Sequence, residues 1–349
     1  MATAEADAIR SKKRGIGMLN RGAVFVNGFS RGGTTMLTNL LASHPDVCLV
    51  GETHHVFKGH NITDNAWRVL NKCLFHDAPI LMGQGQNFFS PRLVQPRKPL
   101  KSWSQRLVDR VLYREKLRSN HPVFNRYKTA GLEYTRDEIA ESRLLCKNID
   151  GMIYGNDAFV DMYPDATFFG LVRNGFAVCE GHVRRGRSAK EIGWRYRVLV
   201  NKMLSDCDRV PSYRMIRFED LVDHPMGTLQ AVYAHAGLAV DCVREIRMQV
   251  RRVMDSQGNH QLKGDAEWDV VWLSPSELNG YFDSDVDANQ IRRLSDQDRD
   301  DFLSEAEESM ERLGYSMDRV KTPHESHHFC VPQPVDNSER DQSLIRRAA

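Results

Sequence analysis

Residues 28–35 read G-F-S-R-G-G-T-T and have the composition of a phosphate-binding loop. They follow the apolar run 23–26 and precede a helix-compatible run at 36–41. A strand, a glycine-rich turn and a helix in this order direct backbone N–H groups and the positive end of the helix dipole towards an anion. The spacing therefore predicts a phosphate site with these candidate ligands: Ser30, Arg31, Gly32, Gly33, Thr34 and Thr35.

One position of the loop indicates the kind of phosphate. The nucleoside triphosphate loop, G-x-x-x-x-G-K-[ST], needs its Lys at the β- and γ-phosphates. This chain has Thr34 at that position, and the cation of its loop is Arg31. We therefore expect the loop to hold a single phosphate of a ligand other than Mg-ATP.

The end of another predicted strand carries a second cation. Arg173 directly follows the apolar run 166–172, which is typical of a buried strand. In an open α/β sheet, ligands bind beyond the carboxyl ends of the parallel strands. Because a guanidinium makes forked contacts with phosphate, we expect Arg173 to bind an anionic group.

The elements that position these residues alternate along the chain. Strand-like runs lie at 23–26, 47–50, 144–146, 166–172 and 213–217, with helix-compatible segments between them. This alternation around a phosphate loop predicts a P-loop-like, three-layer α/β fold in which helices flank a central parallel sheet. We place this domain at 21–318, with a partly helical, substrate-side insertion at 60–145, a flexible arm at 1–20 and a disordered tail at 319–349.

Composition narrows the class of protein. The 349 residues include 48 basic and 46 acidic side chains, so no global positive field favours nucleic acid. No apolar run reaches the ~20 residues of a membrane span, and the N-terminus lacks the apolar core of a secretory signal. The 7 cysteines are scattered, which fits a reducing compartment. We expect a cytoplasmic protein that binds neither nucleic acid nor membrane.

Four segments in this order resemble those of the sulfotransferase family, whose donor is 3′-phosphoadenosine 5′-phosphosulfate (PAPS). They are the loop with its following His44-Pro45, L-V-R-N-G at 171–175, R-F-E-D-L-V at 217–222 and L-G-Y at 313–315. The first resembles the family's 5′-phosphosulfate loop, and the second its 3′-phosphate motif around Arg173. G-E-T at 51–53 and K-N at 147–148 are similar to the bacterial and tyrosylprotein branches, although Ile149 stands where those branches have Pro.

The resemblance implies in-line transfer of a sulfuryl group from PAPS to an acceptor hydroxyl, without a metal ion. Positioned cations stabilise the charge on the departing phosphate, and the resemblance gives this role to Arg31 and Lys147. The acceptor hydroxyl needs a base, for which Glu52 is the candidate and His54 or His55 the reserve. A peptide tyrosine, a carbohydrate and a small molecule all remain open as acceptors.

The sequence departs from the family at Gly181. Eight residues after the Arg, the family has a Ser that is its second 3′-phosphate ligand, so another group must substitute; the candidates are a backbone N–H, His182, Arg184, Arg185 and Ser188. Two alternative functions follow. A P-loop kinase or NTPase would need Lys at the position of Thr34 and a strand-end Asp for Mg²⁺. A catalytically silent nucleotide-binding protein would fit Gly181 and the irregular insertion.

Overall fold

A sheet of five parallel strands forms the centre of the computed structural model. The strands are β1 Val24–Gly28, β2 Val47–Glu52, β3 Arg143–Ile149, β4 Thr167–Val172 and β5 Tyr213–Arg217. They lie side by side in the order β2-β3-β1-β4-β5. A separate antiparallel pair consists of β6 Ile246–Arg251 and β7 Trp268–Leu273. The structure describes residues 18–19, 22–59, 65–77, 88–92, 99–119, 134–251, 268–315 and 329–330.

Helices connect the strands and cover both faces of the sheet. In chain order they are α1 Thr34–Ala42, α2 Thr53–Lys58, α3 Asn65–Lys72, α4 Ser102–Arg118, α5 Arg136–Glu141, α6 Asn156–Met162, α7 Gly175–Val183, α8 Ala189–Arg209, α9 Phe218–Asp223, α10 Pro225–Ala236, α11 Pro275–Leu278, α12 Val286–Ile291 and α13 Asp296–Arg312. A π-helical turn at Cys73–Asp77 follows α3, and a 3₁₀ turn at Asp150–Gly155 joins β3 to α6.

The central strand β1 explains why the sheet needs a layer of helices on each face. Successive side chains of a strand point to opposite faces, and all five residues of β1 are buried. Val24 and Val26 belong to one hydrophobic cluster with α1 and α10. Phe25 points the other way and stacks on Phe159 of α6 at a centroid distance of 4.6 Å. The predicted three-layer α/β fold is therefore confirmed.

The strand predictions hold closely, while two helical regions differ. The helix-compatible stretch after β4 consists of two helices, because Gly186 adopts a left-handed φ of 77° between them. Ser188 then starts α8, where its side chain accepts a hydrogen bond from the Glu191 N–H. The described part of the insertion contains the helices α3, α4 and α5, and β3 begins at Arg143, inside the predicted bounds 60–145.

A few residues of the predicted terminal arms are described, and they contact the domain. Met18 donates its N–H to Asp109 Oδ2 on α4 at 2.6 Å. Phe329 forms an isolated parallel bridge with Met215 of β5, and the guanidinium of Arg217 lies 4.3 Å from the centroid of its ring. The rest of the predicted arm and tail lies outside the described residues. In the part of the chain that is described, no helix is long and apolar enough to cross a membrane.

Candidate active site

The glycine-rich loop connects β1 to α1 and is shaped by two left-handed residues. Arg31 has a φ of 70° and Gly33 a φ of 86°. A side chain at Gly33 would also require the ring of Phe218 to shift, since a Cβ there would lie 2.3 Å from that ring. A Cβ at Gly28 would lie 2.6 Å from the methyl group of Thr34. The glycines therefore allow the close turn that brings the chain into α1.

The start of α1 is suited to an anion. Gly33 is the N-cap and has no side chain to cap the first N–H groups of the helix, and the first turn of α1 contains no acidic residue. Thr34 is buried at this position, while Thr35 is partly exposed. The Gly32 N–H is used inside the turn, where it donates to the Phe29 carbonyl at 3.0 Å. The Gly32 N–H is therefore already used, and the N–H groups at the start of α1 remain candidates for a phosphate.

Asp150 and His182 form hydrogen bonds with the backbone of the loop at Ser30, and the sequence predicted neither contact. Asp150 Oδ1 accepts a hydrogen bond from the Ser30 N–H at 3.2 Å, and its backbone has a left-handed φ of 51°. His182 Nε2 donates to the Ser30 carbonyl at 3.0 Å, and burial lowers the pKa of its imidazole. The dipeptide Asp150-Gly151 is a turn signal in the sequence, but nothing local indicates its contact with the loop.

A β-bulge places Glu52 beside Lys147. In the pairing of β2 with β3, Leu49 lies opposite Leu145, but Gly51 lies opposite Cys146, so Val50 is the extra residue. Gly51 accommodates the bulge with a φ of 118°. A one-residue shift moves the following side chains to the other face of a sheet. As a result, Glu52 pairs with Lys147 and shares its face.

Lys147 joins the predicted base to the phosphate loop. Its ammonium Nζ lies 2.8 Å from Glu52 Oε1 and donates a hydrogen bond to Thr35 Oγ1 at 3.2 Å. Both side chains of the ion pair are about nine-tenths buried, with 5% of Lys147 and 11% of Glu52 exposed. Three residues that the sequence placed on separate strands and a helix are therefore in one connected group.

Two histidines of α2 face the other oxygen of Glu52. His54 Nδ1 and His55 Nδ1 lie 3.6 and 3.4 Å from Glu52 Oε2. Burial alone would raise the pKa of Glu52, but the charge and hydrogen bond of Lys147, followed by both imidazoles, outweigh burial and lower it from 4.5 to about 2. The carboxyl group is therefore ionised at neutral pH.

The same three side chains are a group of potential metal ligands in the described part of the chain. The ligand atoms of Glu52, His54 and His55 lie within 4.8 Å of one another, which is close enough to share an ion. The Lys147 ammonium, 2.8 Å from Glu52 Oε1, would repel a metal ion at this carboxylate. The arrangement suits an ion-paired carboxylate better than a metal centre.

A chain of buried polar groups fixes the ends of β2 and β3. The Thr53 hydroxyl donates to Asn148 Oδ1 at 2.5 Å, Asn148 donates to Asn156 Oδ1 at 3.3 Å, and Asn156 donates to Asp206 Oδ2 at 2.9 Å. These bonds tie the residues next to Glu52 and Lys147 to α6 and α8. Because an unpaired buried amide is costly, the network holds these strand ends in one arrangement.

Arg173 follows β4 as predicted, and its guanidinium is buried and bonded to other parts of the chain. Its Nε and Nη2 donate to Asp287 Oδ1 of α12 at 2.9 and 2.5 Å. Its Nη1 donates to the Arg31 carbonyl at 3.0 Å, and Nη2 also reaches Gln290 Oε1 at 3.2 Å. The guanidinium lies over the ring of Phe218, 4.1 Å from its centroid. Asp287 and Gln290 were not predicted from the sequence, because they lie more than 110 residues further along the chain.

A second carboxyl group lies near this ion pair. Glu219 of α9 accepts hydrogen bonds from the Asn174 N–H and from the Tyr315 hydroxyl, each at 2.8 Å. Burial, followed by the negative charge of Asp287, raises the pKa of Glu219. The E-D-L and L-G-Y segments of the sequence therefore meet at the end of β4, where they support the backbone that carries Arg173.

Gly181 of α7 lies under the side chain of Arg31. A Cβ at Gly181 would lie 3.1 Å from Arg31 Cβ and 3.3 Å from its Cγ, which is tighter than most real contacts. The missing side chain therefore leaves room for the stem of the loop cation. This close approach gives a packing reason for glycine at a position where the sequence resemblance expects serine.

The proposed substitutes for that serine have different positions. His182 contacts the loop through Ser30, whereas Ser188 is occupied as the cap of α8. Arg184 and Arg185 are exposed. Arg184 Nε lies 3.5 Å from Glu180 Oε1. Arg185 Nη1 donates a hydrogen bond to the Gly181 carbonyl. The contact with Ser30 makes His182 a candidate substitute that lies at the loop.

Several solved structures show a distant similarity to this chain. A sulfotransferase domain from the curacin biosynthetic pathway is 14% identical over 85% of this chain and 98% of that one, with a TM-score of 0.42. A sulfotransferase from Alicyclobacillus acidocaldarius is 15% identical over 80% and 99% of the two chains, with a TM-score of 0.35. One from Mycobacterium tuberculosis H37Rv is 18% identical over 69% and 74%, with a TM-score of 0.31. No curated protein matches the chain.

The family assignment rests on a family model. The model described as the sulfotransferase family matches residues 23–242, which is more than half of the chain. The matched region contains the loop, the Glu52–Lys147 pair and Arg173. The chain belongs to the sulfotransferase family.

Proposed function

We propose that the protein transfers a sulfuryl group from PAPS to the hydroxyl of an acceptor and releases adenosine 3′,5′-bisphosphate. The observation that carries this proposal is the Lys147 ammonium, which contacts both Glu52 Oε1 and Thr35 Oγ1. In-line displacement needs a cation between the base and the phosphate loop, because negative charge develops on the bridging oxygen of the donor. Lys147 lies at this position. Family membership supports the same class of reaction.

The proposed donor site extends along the carboxyl edge of the sheet. The start of α1 and the hydroxyls of Thr34 and Thr35 would hold the 5′-phosphate. Arg31 is exposed beside them and would stabilise the departing phosphate together with Lys147. Arg173 would hold the 3′-phosphate, at the end of a neighbouring strand. No metal ion is required for this chemistry, because the chain supplies the positive charges.

In the proposed reaction, Glu52 takes the proton of the acceptor hydroxyl. The acceptor oxygen forms a bond to sulfur while the bond from sulfur to the bridging oxygen breaks, and the electron pair leaves with the phosphate. A carboxylate with a pKa of about 2 is a weak base. If Lys147 turns towards the donor, its charge and hydrogen bond no longer lower the pKa of Glu52. Burial then raises this pKa. Donor binding would thus activate the base.

The experiment uses PAPS labelled in its sulfuryl group and a panel of acceptors that contains tyrosine peptides, carbohydrates and small phenols or alcohols. The variant Glu52→Gln keeps the shape of the side chain and removes the base. We expect its kcat to fall by a factor of about 10² or more, as for loss of a general base. The exposed Glu307→Gln on α13 is the matched control and should retain wild-type turnover.

The outcomes separate the candidate bases. If Glu52→Gln retains wild-type turnover, Glu52 is not the base, and the same assay on His54→Ala and His55→Ala tests the reserve candidates. If no acceptor of the panel is labelled although PAPS binds, the silent nucleotide-binding alternative gains support. Thermal melting of each variant establishes that it is folded.

A further inference from the structure

Asp287 lies on the guanidinium that the proposed function assigns to the donor's 3′-phosphate. One oxygen of its carboxylate, Oδ1, accepts from both Nε and Nη2 of Arg173, at 2.9 and 2.5 Å. The fork of an arginine has the geometry that also binds a phosphate. A phosphate that used the same two donors would have to displace this carboxylate.

The contact leaves the carboxylate incompletely satisfied. The second oxygen, Asp287 Oδ2, is buried and has no hydrogen-bond partner among the described residues. Buried polar atoms in a permanent structural contact normally have partners. A phosphate offers three acceptor oxygens and would use the donors of Arg173 more completely.

The surroundings disfavour a second negative charge beside Asp287. Burial, followed by the charge of Asp287, raises the pKa of the neighbouring Glu219 carboxyl to about 8, so this group is mainly neutral at pH 7. A phosphate dianion would enter next to the Asp287 carboxylate if Asp287 stayed in place. Like charges at short distance are costly in a buried site, so the phosphate and the Asp287 carboxylate exclude each other.

The element that carries Asp287 is short and lies at the margin of the hydrophobic core. Helix α12 has six residues, none of them fully buried, although Val286 and Ile291 pack against the two hydrophobic clusters. Arg293, two residues after its end, donates to Glu180 Oε1 of α7 at 2.9 Å. Arg173 therefore holds α12 through both Asp287 and Gln290, and Arg293 holds the segment that follows the helix. A shift of this one short helix would separate the carboxylate from the guanidinium.

We propose that Asp287 is a specificity-determining residue for the donor: its carboxylate competes with the 3′-phosphate for Arg173, and α12 releases Arg173 when the donor binds. This inference rests on the proposed function. It explains how a buried arginine can be ion-paired with a carboxylate and still serve an anionic ligand. It also makes the 3′-phosphate the group that decides whether the contact opens.

The test measures calorimetric affinities of adenosine 3′,5′-bisphosphate and of adenosine 5′-monophosphate for the wild-type chain and Asp287→Asn. We expect the variant to bind the bisphosphate at least about tenfold more tightly, because a charged competitor is removed. Its affinity for the monophosphate should change less than about twofold. The control is Asp285→Asn, which removes the negative charge of an exposed side chain two residues before Asp287. This variant should bind both ligands as the wild type does.

The failures of the two proposals differ. If both proteins prefer the bisphosphate by the same factor, the donor proposal stands and the competition by Asp287 is overturned. If Asp287→Asn binds both ligands more tightly by the same factor, the competition is overturned too. The variant then acts by removing a negative charge and not by freeing Arg173 for the 3′-phosphate. If neither protein prefers the bisphosphate, the donor proposal fails and the inference with it.

A second measurement needs no variant. Hydrogen exchange of the α12 amides in the wild-type chain should become faster with the bisphosphate and stay unchanged with the monophosphate. Unchanged or slower exchange with the bisphosphate would overturn the release of α12.

Discussion

The Lys147–Glu52 ion pair predicts a defined change of stability with pH. The substitution Lys147→Met removes the ammonium that lies 2.8 Å from Glu52 Oε1 and keeps most of the side-chain volume. In the wild-type protein, burial raises the pKa of Glu52, but Lys147 and the two imidazoles lower it from 4.5 to about 2. Without Lys147, burial remains as the largest influence, so we expect the pKa to return to its ordinary value or rise above it.

The magnitude follows from linkage. A carboxyl group whose pKa is lower in the folded state stabilises the protein above the unfolded-state pKa, and this contribution is lost as pH falls through the folded-state value. A shift from 4.5 to about 2 corresponds to about 3 kcal/mol at pH 6 and about 1 kcal/mol at pH 3. The stability difference between wild type and Lys147→Met should therefore shrink by about 2 kcal/mol between these pH values.

The assay is urea unfolding at pH 3 to 7, with the Glu52 carboxyl resonance followed by NMR in the same range. Lys190→Met, which removes an exposed ammonium from α8, is the control and should keep a constant difference from wild type. A constant difference for Lys147→Met as well would show that Lys147 does not lower the pKa of Glu52. A Glu52 resonance that titrates near 4.5 in the wild-type protein would show independently that this pKa is not lowered.

Two further predictions concern the loop and the second carboxyl group. Gly33→Ala places a Cβ on a residue with a φ of 86°, 2.3 Å from the Phe218 ring. We therefore expect the free energy of unfolding, measured with urea, to fall by more than ~1 kcal/mol. Wild-type stability of this variant would contradict the prediction. The raised pKa of Glu219, caused by burial and then by Asp287, makes wild-type stability fall as pH rises above the ordinary value of 4.5. Glu219→Gln should therefore flatten the stability curve between pH 5 and 8, and an unchanged slope would show that the pKa is not raised.

Local patterns made much of the fold predictable from sequence. The run before Gly28 and the T-T that begins α1 are neighbours in the chain, so strand, turn and helix could be recognised together. The buried strand that ends before Arg173 was equally clear, because β4 is apolar throughout. The order of the strands in the sheet required the structure, since β2 and β3 are adjacent although 90 residues separate them.

The site also contains contacts between distant residues that no local sequence pattern predicts. The pairing of Glu52 with Lys147 depends on the bulge at Val50, and a valine in an apolar run gives no sign of one. Asp287 reaches Arg173 across 114 positions, from a segment without a recognisable motif. Gly181 could be noticed as a departure, but its reason, the stem of Arg31 packed against it, appears in three dimensions alone.

We propose that this phosphate loop and Arg173 together bind an adenosine nucleotide through a 5′- and a 3′-phosphate. The most direct measurement is a calorimetric titration of the wild-type chain with adenosine 3′,5′-bisphosphate and, separately, with ATP and Mg²⁺. We predict that the bisphosphate binds at least about tenfold more tightly. Equal or tighter binding of ATP with Mg²⁺ would contradict the claim and favour a P-loop kinase or NTPase.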